Sequence, residues 1–478
     1  MIVVLDVGSS SLRSSLWERD GSSLGEKARI EQAGTGELEA DPLLGRVARV
    51  LDRAAADGRE VTAVATSTFW HCLLGLDDRG RPITPVYSWA DARSAPHAAE
   101  LRERLDEQAV HARTGCRLHS SYWPAKLAWL RDTQPDTFER VAVWVSPGEY
   151  VHRRLLGDAA VSVSMASGTG LFDQHACEWD GELAAELGVE DKLPAIDDSP
   201  REGLTGDWAE RWPALANVPW FPAWGDGATS NVGAGCVTKD RAALMIGTSG
   251  ALRVLDRAEP PEPPPSLWCY RADAERPLLG GSLSDGGSVV AWLRSLTQLP
   301  GPEEAEREIA KMAPDSHGLT MLPLLSGERG PGWSDRAGAA IEGLTAATTP
   351  LDLLRAGLEA VALRFALLDA DLPGDHTVVA TGGGLANSPA WTQIVADALG
   401  RPVAHSGVAE GSSRGAAVMA LEALGEQPGE APVGETFEPD PEATETYRAA
   451  LERQQALYER ALTSSPAPRP PGDPATGR

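Results

Sequence analysis

An internal echo does most to limit how this 478-residue chain can fold. Val3-Val4-Leu5-Asp6-Val7-Gly8-Ser9-Ser10-Ser11-Leu12 returns, about half a chain later, as Ala242-Ala243-Leu244-Met245-Ile246-Gly247-Thr248-Ser249-Gly250-Ala251. In each copy an apolar run enters a Gly/Ser/Thr turn and an alternating run leaves it, as in a β-hairpin. A repeat at that spacing implies two similarly folded halves facing one cleft. Length agrees, because single cores stop growing at roughly 250–300 residues. Elsewhere short β-rich runs alternate with helical stretches, the pattern of an α/β protein. Val61 to Thr66 and Val141 to Val145 read as buried strands, while Pro124 to Trp129 opens a helix. Leu351 to Leu368 carries apolar residues at helical spacing. Ala258 to Pro265 is Pro/Glu-rich and reads as an exposed loop, and the Pro-rich stretch 464–478 as a disordered tail.

Charge excludes several functions. The formal net charge is -26, opposite in sign to that expected of a nucleic-acid binder. No apolar run approaches a membrane span. Met1 to Leu5 lacks a basic lead and is followed by Asp6, so it reads as a strand and not as a signal peptide. A cytoplasmic enzyme, monomeric or homodimeric, is the expectation. The five cysteines show no Cys-x-x-Cys spacing and read as small buried hydrophobes. On so acidic a chain, an anionic ligand needs an amide-rich or locally positive pocket.

The turns offer one. Gly, Ser and Thr let successive N–H groups converge on a point and add hydroxyl donors, which suits phosphate; a plain polar hairpin is the alternative. Asp6 in the first copy is Met245 in the second, as if one turn alone needed a carboxylate for Mg²⁺. Arg13, just past the first turn, is a candidate phosphate cation. A third cluster follows the strand-like Thr377 to Ala380: Gly382, Gly383 and Gly384 let a purine or ribose approach the backbone. Ser388 and Pro389 then start a helix whose apolar face is Trp391, Ile394, Val395, Ala398 and Leu399. Asp226 sits between Gly225 and Gly227, either as a general base with open access or as a turn-supporting Asp-Gly. P-loop and dinucleotide fingerprints are absent. Gly411 to Gly415 formally matches a nucleophile elbow but reads as a helix start capped by serines.

Together these segments resemble the FGGY carbohydrate kinases over nearly the whole chain. Tyr122 to Leu130 is similar to one family signature, and Gly338 to Glu359 to the other, with Gly357 departing from it. The resemblance implies two actin-like (ribonuclease H-like) α/β domains with ATP and a sugar meeting between them. It assigns residues 1–237 to the sugar side and 238–463 to the nucleotide side. By this resemblance Asp226 is the catalytic base, with Asp6 and Asp226 near Mg²⁺. Gly8, Ser9, Ser10, Ser11, Arg13, Gly247, Thr248 and Ser249 hold ATP phosphates, and Gly382, Gly383, Gly384 and Asn387 the adenosine. Ser88 to Ser94, Ala166 to Phe172 and Leu322 to Arg329 look most like gluconate kinases, which implies a sugar-acid substrate and 6-phosphogluconate as product. Trp70, His71, Asp91, Arg93 and Gly225 fall on the substrate side. Trp70 stands where those kinases typically carry Met. His71 is open to a hydroxyl, a carboxylate or a purely structural role, and Arg93 to the substrate carboxylate or to Asp91. The alternatives are a kinase for a ketopentose or polyol such as xylulose, and an actin-like nucleotide-binding protein without sugar kinase activity.

Overall fold

The computed structural model describes residues 1–8, 11–32 and 38–464. Ser9 and Ser10 lie outside the described residues, as does the expected tail apart from Ser464, which closes the last helix.

Two sheets carry the molecule. The first contains β1 (Ile2–Val7), β2 (Ser11–Trp17), β3 (Ser23–Glu31), β4 (Ala63–Thr68) and β5 (Trp224–Gly225), in the order β3-β2-β1-β4-β5. The second contains β6 (Arg241–Ile246), β7 (Gly250–Leu255), β8 (Trp268–Asp273), β9 (Arg276–Leu283), β10 (Thr377–Thr381), β11 (Val403–Ser406) and β12 (Val433–Phe437). Its order is β8-β9-β7-β6-β10-β11-β12. β1 runs antiparallel to β2 and parallel to β4, and β6 runs antiparallel to β7 and parallel to β10. The run β9-β7-β6-β10-β11 therefore repeats β3-β2-β1-β4-β5, so the echo in the sequence extends to topology. It slips after the turn: Val7 pairs with Leu12, but Ile246 pairs with Gly250, so the second hairpin closes one residue sooner.

All six residues of β1 are buried, which explains a nearly continuous apolar run where a one-faced strand would alternate. Val3, Leu5 and Val7 pack with Leu43, Val47 and Leu51 of α1 (Ala40–Ala55). Asp6 shares its face with Ile2 and Val4. The helix Trp123–Thr133 (α2) opens at the expected Pro124. Three further helices matter to the site: α3 (Asp226–Gly233), α4 (Pro350–Asp371) and α5 (Pro389–Leu399). Ser388 caps α5 with Pro389 at its first turn, and Trp391, Ile394 and Val395 are buried, as the sequence implied.

Helix α6 (Gly411–Ala423) belongs late in the sequence yet packs on the first sheet, sharing a core with Ile2, Val4, Ala63 and Ala65. It crosses α3 at very close range. A Cβ on Gly415 would come within 1.7 Å of the Thr229 carbonyl, and one on Gly233 within 1.9 Å of the Gly411 carbonyl. Only glycine permits that approach. The serines of Gly411 to Gly415 start this helix as expected but do not cap it; Glu410 is at the N-cap without a side-chain cap bond. Ser413 instead donates to Asp6.

The strand expected at Val61 begins two residues later, and that at Val141 is confined to Val143–Val145. Ala258 to Pro265 is irregular. Among the described residues no helix is long and apolar enough to cross a membrane. Four cysteines are buried, Cys177 is half-buried, and all five are free thiols.

Candidate active site

A cleft of about 2110 Å³ is lined from both halves of the chain. Asp6, Gly8, Ser11 and Arg13 reach it from the first hairpin and Gly247, Thr248 and Ser249 from the second. Gly382 and Gly383 enter from the turn after β10, and Asp226 from the start of α3. The sequence-predicted phosphate, adenosine and catalytic segments thus share one cavity.

Asp6 is a buried acid of this cleft. Arg13 lies opposite Asp6 in the β1–β2 register, with Nη2 3.2 Å from its carboxylate, and the Ser413 hydroxyl donates to the same oxygen at 3.2 Å. Burial pushes the Asp6 carboxyl up to about 6, against the pull of Arg13 and with a further push from Asp226. Arg13 also pairs with Glu410. Its guanidinium is therefore engaged by two carboxylates, so the expected phosphate cation serves first as counter-charge to Asp6. Two desolvated carboxylates close enough to repel each other suit a hard divalent cation, and their oxygen donors fit Mg²⁺.

The second turn is braced from behind. Gly286 and Ser288 donate backbone N–H groups to the Thr248 carbonyl at 2.8 and 3.1 Å, and Gly287 donates to that of Gly247 at 2.7 Å. Thr248 and Ser249 keep their own N–H groups unengaged by the described residues. That leaves donors for an anion.

Asp226 sits between glycines for a reason the sequence hides. Trp70 lies on both: a Cβ on Gly225 would fall 1.9 Å from its Cε2, and one on Gly227 2.4 Å from its Cζ3 and 2.3 Å from Arg253 Nη1. The glycines admit an indole and a guanidinium, not open solvent, and Gly225 is covered by Trp70. Burial raises the Asp226 carboxyl above the usual range, while Arg253 and Arg329 pull it down. Trp70 is buried, with its Nε1 donating to the Ser164 carbonyl at 2.9 Å.

His71 has a positive φ of 66° and donates from Nδ1 to the Gly168 carbonyl at 2.5 Å. The carbonyl can only accept, so Nδ1 holds the proton and Nε2 is an acceptor. Burial lowers the imidazole to about 3, so it is neutral. A neutral acceptor suits a hydroxyl and not a carboxylate. Arg93 is bound by Asp91 through Nε at 3.0 and 3.1 Å and lies 4.7 Å from the Trp129 ring centroid. The Asp91 carboxylate is raised by burial but brought below its ordinary value by Arg93, and it faces that partner and not the cleft.

The third cluster needs a correction. Gly382 has φ 82°, and a Cβ on it or on Gly384 would stand 2.8 Å from the Ile246 carbonyl. Packing against β6 demands two of the three glycines, so the run is not by itself a ligand signal. Gly383 is free of such contacts and lines the cleft. Asn387 donates to the Gly383 carbonyl at 2.8 Å.

Sequence reasoning missed Arg253 and Ser413. A signal for Arg253 was present: on β7, Leu252 and Val254 enter the core, which sends Ala251 and Arg253 to the cleft face. Ser413 carries no such local pattern. The signature residues Lys126 and Glu359 act from behind: Lys126 donates to the Ser120 carbonyl at 2.5 Å, and Glu359 is held by Arg355, Tyr447 and His317. Asp315, His317 and Glu359 cluster at metal-ligand range. However, His317 Nδ1 accepts from the Leu319 N–H at 3.0 Å, so its Nε2 proton points to Glu359 at 2.8 Å, which makes an ionic network and not a ligand set.

A duplicated α/β frame that brings two Gly/Ser/Thr turns and the Asp226 carboxylate to one cleft suits phosphoryl transfer to a small molecule. Residues 1–233 match the model of the FGGY family of carbohydrate kinases, N-terminal domain, and residues 242–424 that of its C-terminal domain. A gluconokinase of Bacillus subtilis (strain 168) is 26% identical over 447 residues, covering 88% of this chain and 87% of that one. A glycerol kinase of Leptothrix cholodnii is 30% identical over 455 residues, covering 88% and 90%. The solved gluconate kinase from Lactobacillus acidophilus superposes with a TM-score of 0.89 at 25% identity, over 97% of this chain and 98% of that one. The chain belongs to the FGGY family of carbohydrate kinases. It is a phosphotransferase with the family's two-domain actin-like α/β fold, which removes the alternative of a nucleotide binder without kinase activity.

Proposed function

We propose that this kinase transfers the γ-phosphoryl group of ATP to the primary hydroxyl of a sugar acid, converting gluconate to 6-phosphogluconate. The observation that carries the reading is the half-buried Asp226 carboxylate, which opens α3 in the same cleft as both hairpin turns. Asp226 accepts the hydroxyl proton as the sugar oxygen forms its bond to the γ-phosphorus. The bond from that phosphorus to the β–γ bridging oxygen breaks, and ADP leaves. Thr248 and Ser249 offer N–H groups to the phosphates, and Gly8 and Ser11, joined by the Gly8 N–H to the Ser11 carbonyl, line the cleft from the first hairpin. The turn at Gly382 to Gly384, with Asn387, receives the adenosine. Asp6 and Asp226 are the residues that would hold Mg²⁺, which when bound neutralises phosphate charge. The neutral His71 takes a substrate hydroxyl through Nε2. This reading treats residues 1–237 as the sugar-side domain and 238–463 as the nucleotide-side domain.

One observation favours a second reading, a smaller substrate such as xylulose or glycerol. Trp70 fills the floor beside Asp226 with an indole. A substrate panel of gluconate, xylulose and glycerol with coupled ADP detection separates the two. Gluconate should give the highest kcat/KM, and a clear preference for either neutral compound would reverse the assignment. Asp226→Asn should lower turnover on the preferred substrate by about a thousandfold while sparing ATP binding. Near-normal turnover would remove Asp226 from the chemistry.

A further inference from the structure

We propose that Arg329, held on Trp89 by a loop anchored at both ends, is the specificity residue that binds the carboxylate of the sugar acid. The inference rests on the sugar-acid reading above and names the group that makes it selective.

The loop is built to present this side chain. Ser326 donates its backbone N–H and its hydroxyl to the buried Asp285 carboxylate at 2.7 and 3.1 Å. Gly330 donates to the Ser282 carbonyl at 2.7 Å. Between these anchors Glu328 turns inward to the buried Arg364 and to the Tyr458 hydroxyl. Arg329, the next residue, lines the cleft with its guanidinium on Trp89. Its guanidinium stands 4.7 Å from the Trp89 ring centroid, and Nη2 donates to the Leu283 carbonyl at 3.2 Å. Its Nε is buried without a hydrogen-bond partner among the described residues.

A guanidinium packed this way is costly unless an anion completes it. Among the described residues, no carboxylate comes within ion-pairing distance of Arg329, in contrast to Arg93, which Asp91 already occupies. The planar fork of an arginine can take a carboxylate through two parallel hydrogen bonds. Its position favours the sugar end of the cleft. The charge of Arg329 is felt by His71, Tyr122, Tyr270 and Asp226, and the hydroxyls of Tyr122 and Tyr270 bond to each other at 2.6 Å. None of these belongs to a phosphate turn. An open-chain sugar acid with its primary hydroxyl at Asp226 would thus have its opposite end free to reach Arg329. On a chain of net charge -26, such a local cation is what retains an anionic substrate.

The test is calorimetric binding of gluconate, of the neutral hexitol bearing an alcohol in place of the carboxylate, and of ADP. Wild type should prefer gluconate over the hexitol. Arg329→Gln should weaken gluconate by at least about thirtyfold and leave ADP within about threefold, since truncating one member of a buried charge pair is expensive. Unchanged gluconate affinity in that variant overturns the proposal. So does loss of ADP with gluconate retained, which would assign the arginine to the nucleotide phosphates. If wild type binds ADP and xylulose but not gluconate, the sugar-acid reading has failed first. If Arg329→Gln loses both ligands, Arg329→Met, which keeps an apolar stem against Trp89 but no charge, decides. Weakened gluconate with intact ADP then supports the proposal, and wild-type gluconate affinity overturns it.

Discussion

The hairpins at Gly8 and Gly247 hold equivalent places in their sheets but distribute charge differently. In the first, Arg13 sits directly opposite Asp6, so the hairpin balances its own carboxylate. In the second, Met245 faces Ala251 and the cation comes two residues later, at Arg253. That guanidinium has no acid of its own hairpin to meet. It approaches Gly227 and pulls down the carboxyl of Asp226, which the other half of the chain supplies. A duplicated frame has thus been used asymmetrically: one hairpin places a carboxylate, and the other sends a cation across the cleft to the proposed base.

Among changes to the hairpins themselves, removing the carboxylate that only one of them has should give the largest effect. Asp6→Asn is expected to lower kcat by about a hundredfold or more, consistent with the loss of one electrostatic contact to a transferring phosphoryl group. Met245→Leu at the equivalent place should stay within about threefold. Steady-state kinetics on the two variants checks this, and equal losses would make the hairpins functionally alike.

The cation of the second hairpin gives the next effect. Asp226 must be deprotonated to accept a proton, and burial already raises its carboxyl. The acid limb of kcat/KM should therefore lie above the ordinary carboxylate range. Arg253 opposes the rise, so Arg253→Gln should move that limb further up in pH and reduce activity on its slope by about tenfold. A pH–rate profile with an unmoved limb would separate Arg253 from Asp226. Arg253 itself is lowered by burial to about 10, which leaves it charged throughout the range measured.

Glycines at the third cluster divide in the same way. Gly384→Ala drives a Cβ to 2.8 Å from the Ile246 carbonyl, whereas Gly383→Ala meets only the Asn387 amide at 3.6 Å. The first should destabilise the protein by about 1–3 kcal/mol, the usual range for overpacking. The second should leave the thermal midpoint nearly unchanged and show its effect in the KM for ATP. Chemical denaturation and ATP titration of the pair separate packing from binding.

What the sequence made legible follows from how local each cause is. The hairpins, the strand into Gly382 and the Ser388–Pro389 helix start are written in contiguous residues, and topology followed from their echo. Residues whose partners lie far along the chain were harder to read. Asp91, two residues from Arg93, is one of two readings of that arginine, and the structure selects it; for Arg329 the outcome depends on the distant Trp89 and on Arg364 drawing the neighbouring Glu328 away. The Gly-Asp-Gly around Asp226 looked like open access because the indole filling it comes from position 70. Ser413 reaches Asp6 across 407 residues, a contact that no window on the sequence contains.

The smallest effect concerns stability and isolates what the first hairpin costs the fold. The folded Asp6 carboxyl stands at about 6, above its ordinary value of 3.8, so the folded state holds its proton more tightly than the unfolded chain does. The stability linked to that proton is fully present below the unfolded value and is lost as pH rises through about 6. At pH 7.5 wild type therefore carries a buried charge that asparagine does not. Asp6→Asn should melt a few degrees higher than wild type at pH 7.5, and the gap should close toward pH 4. Met245→Leu, with no charge to remove, should show a pH-independent difference. A gap in Asp6→Asn that stayed constant with pH would mean that Arg13 and Ser413 fully offset the burial of Asp6, and the first hairpin would then carry its carboxylate at no cost to the fold.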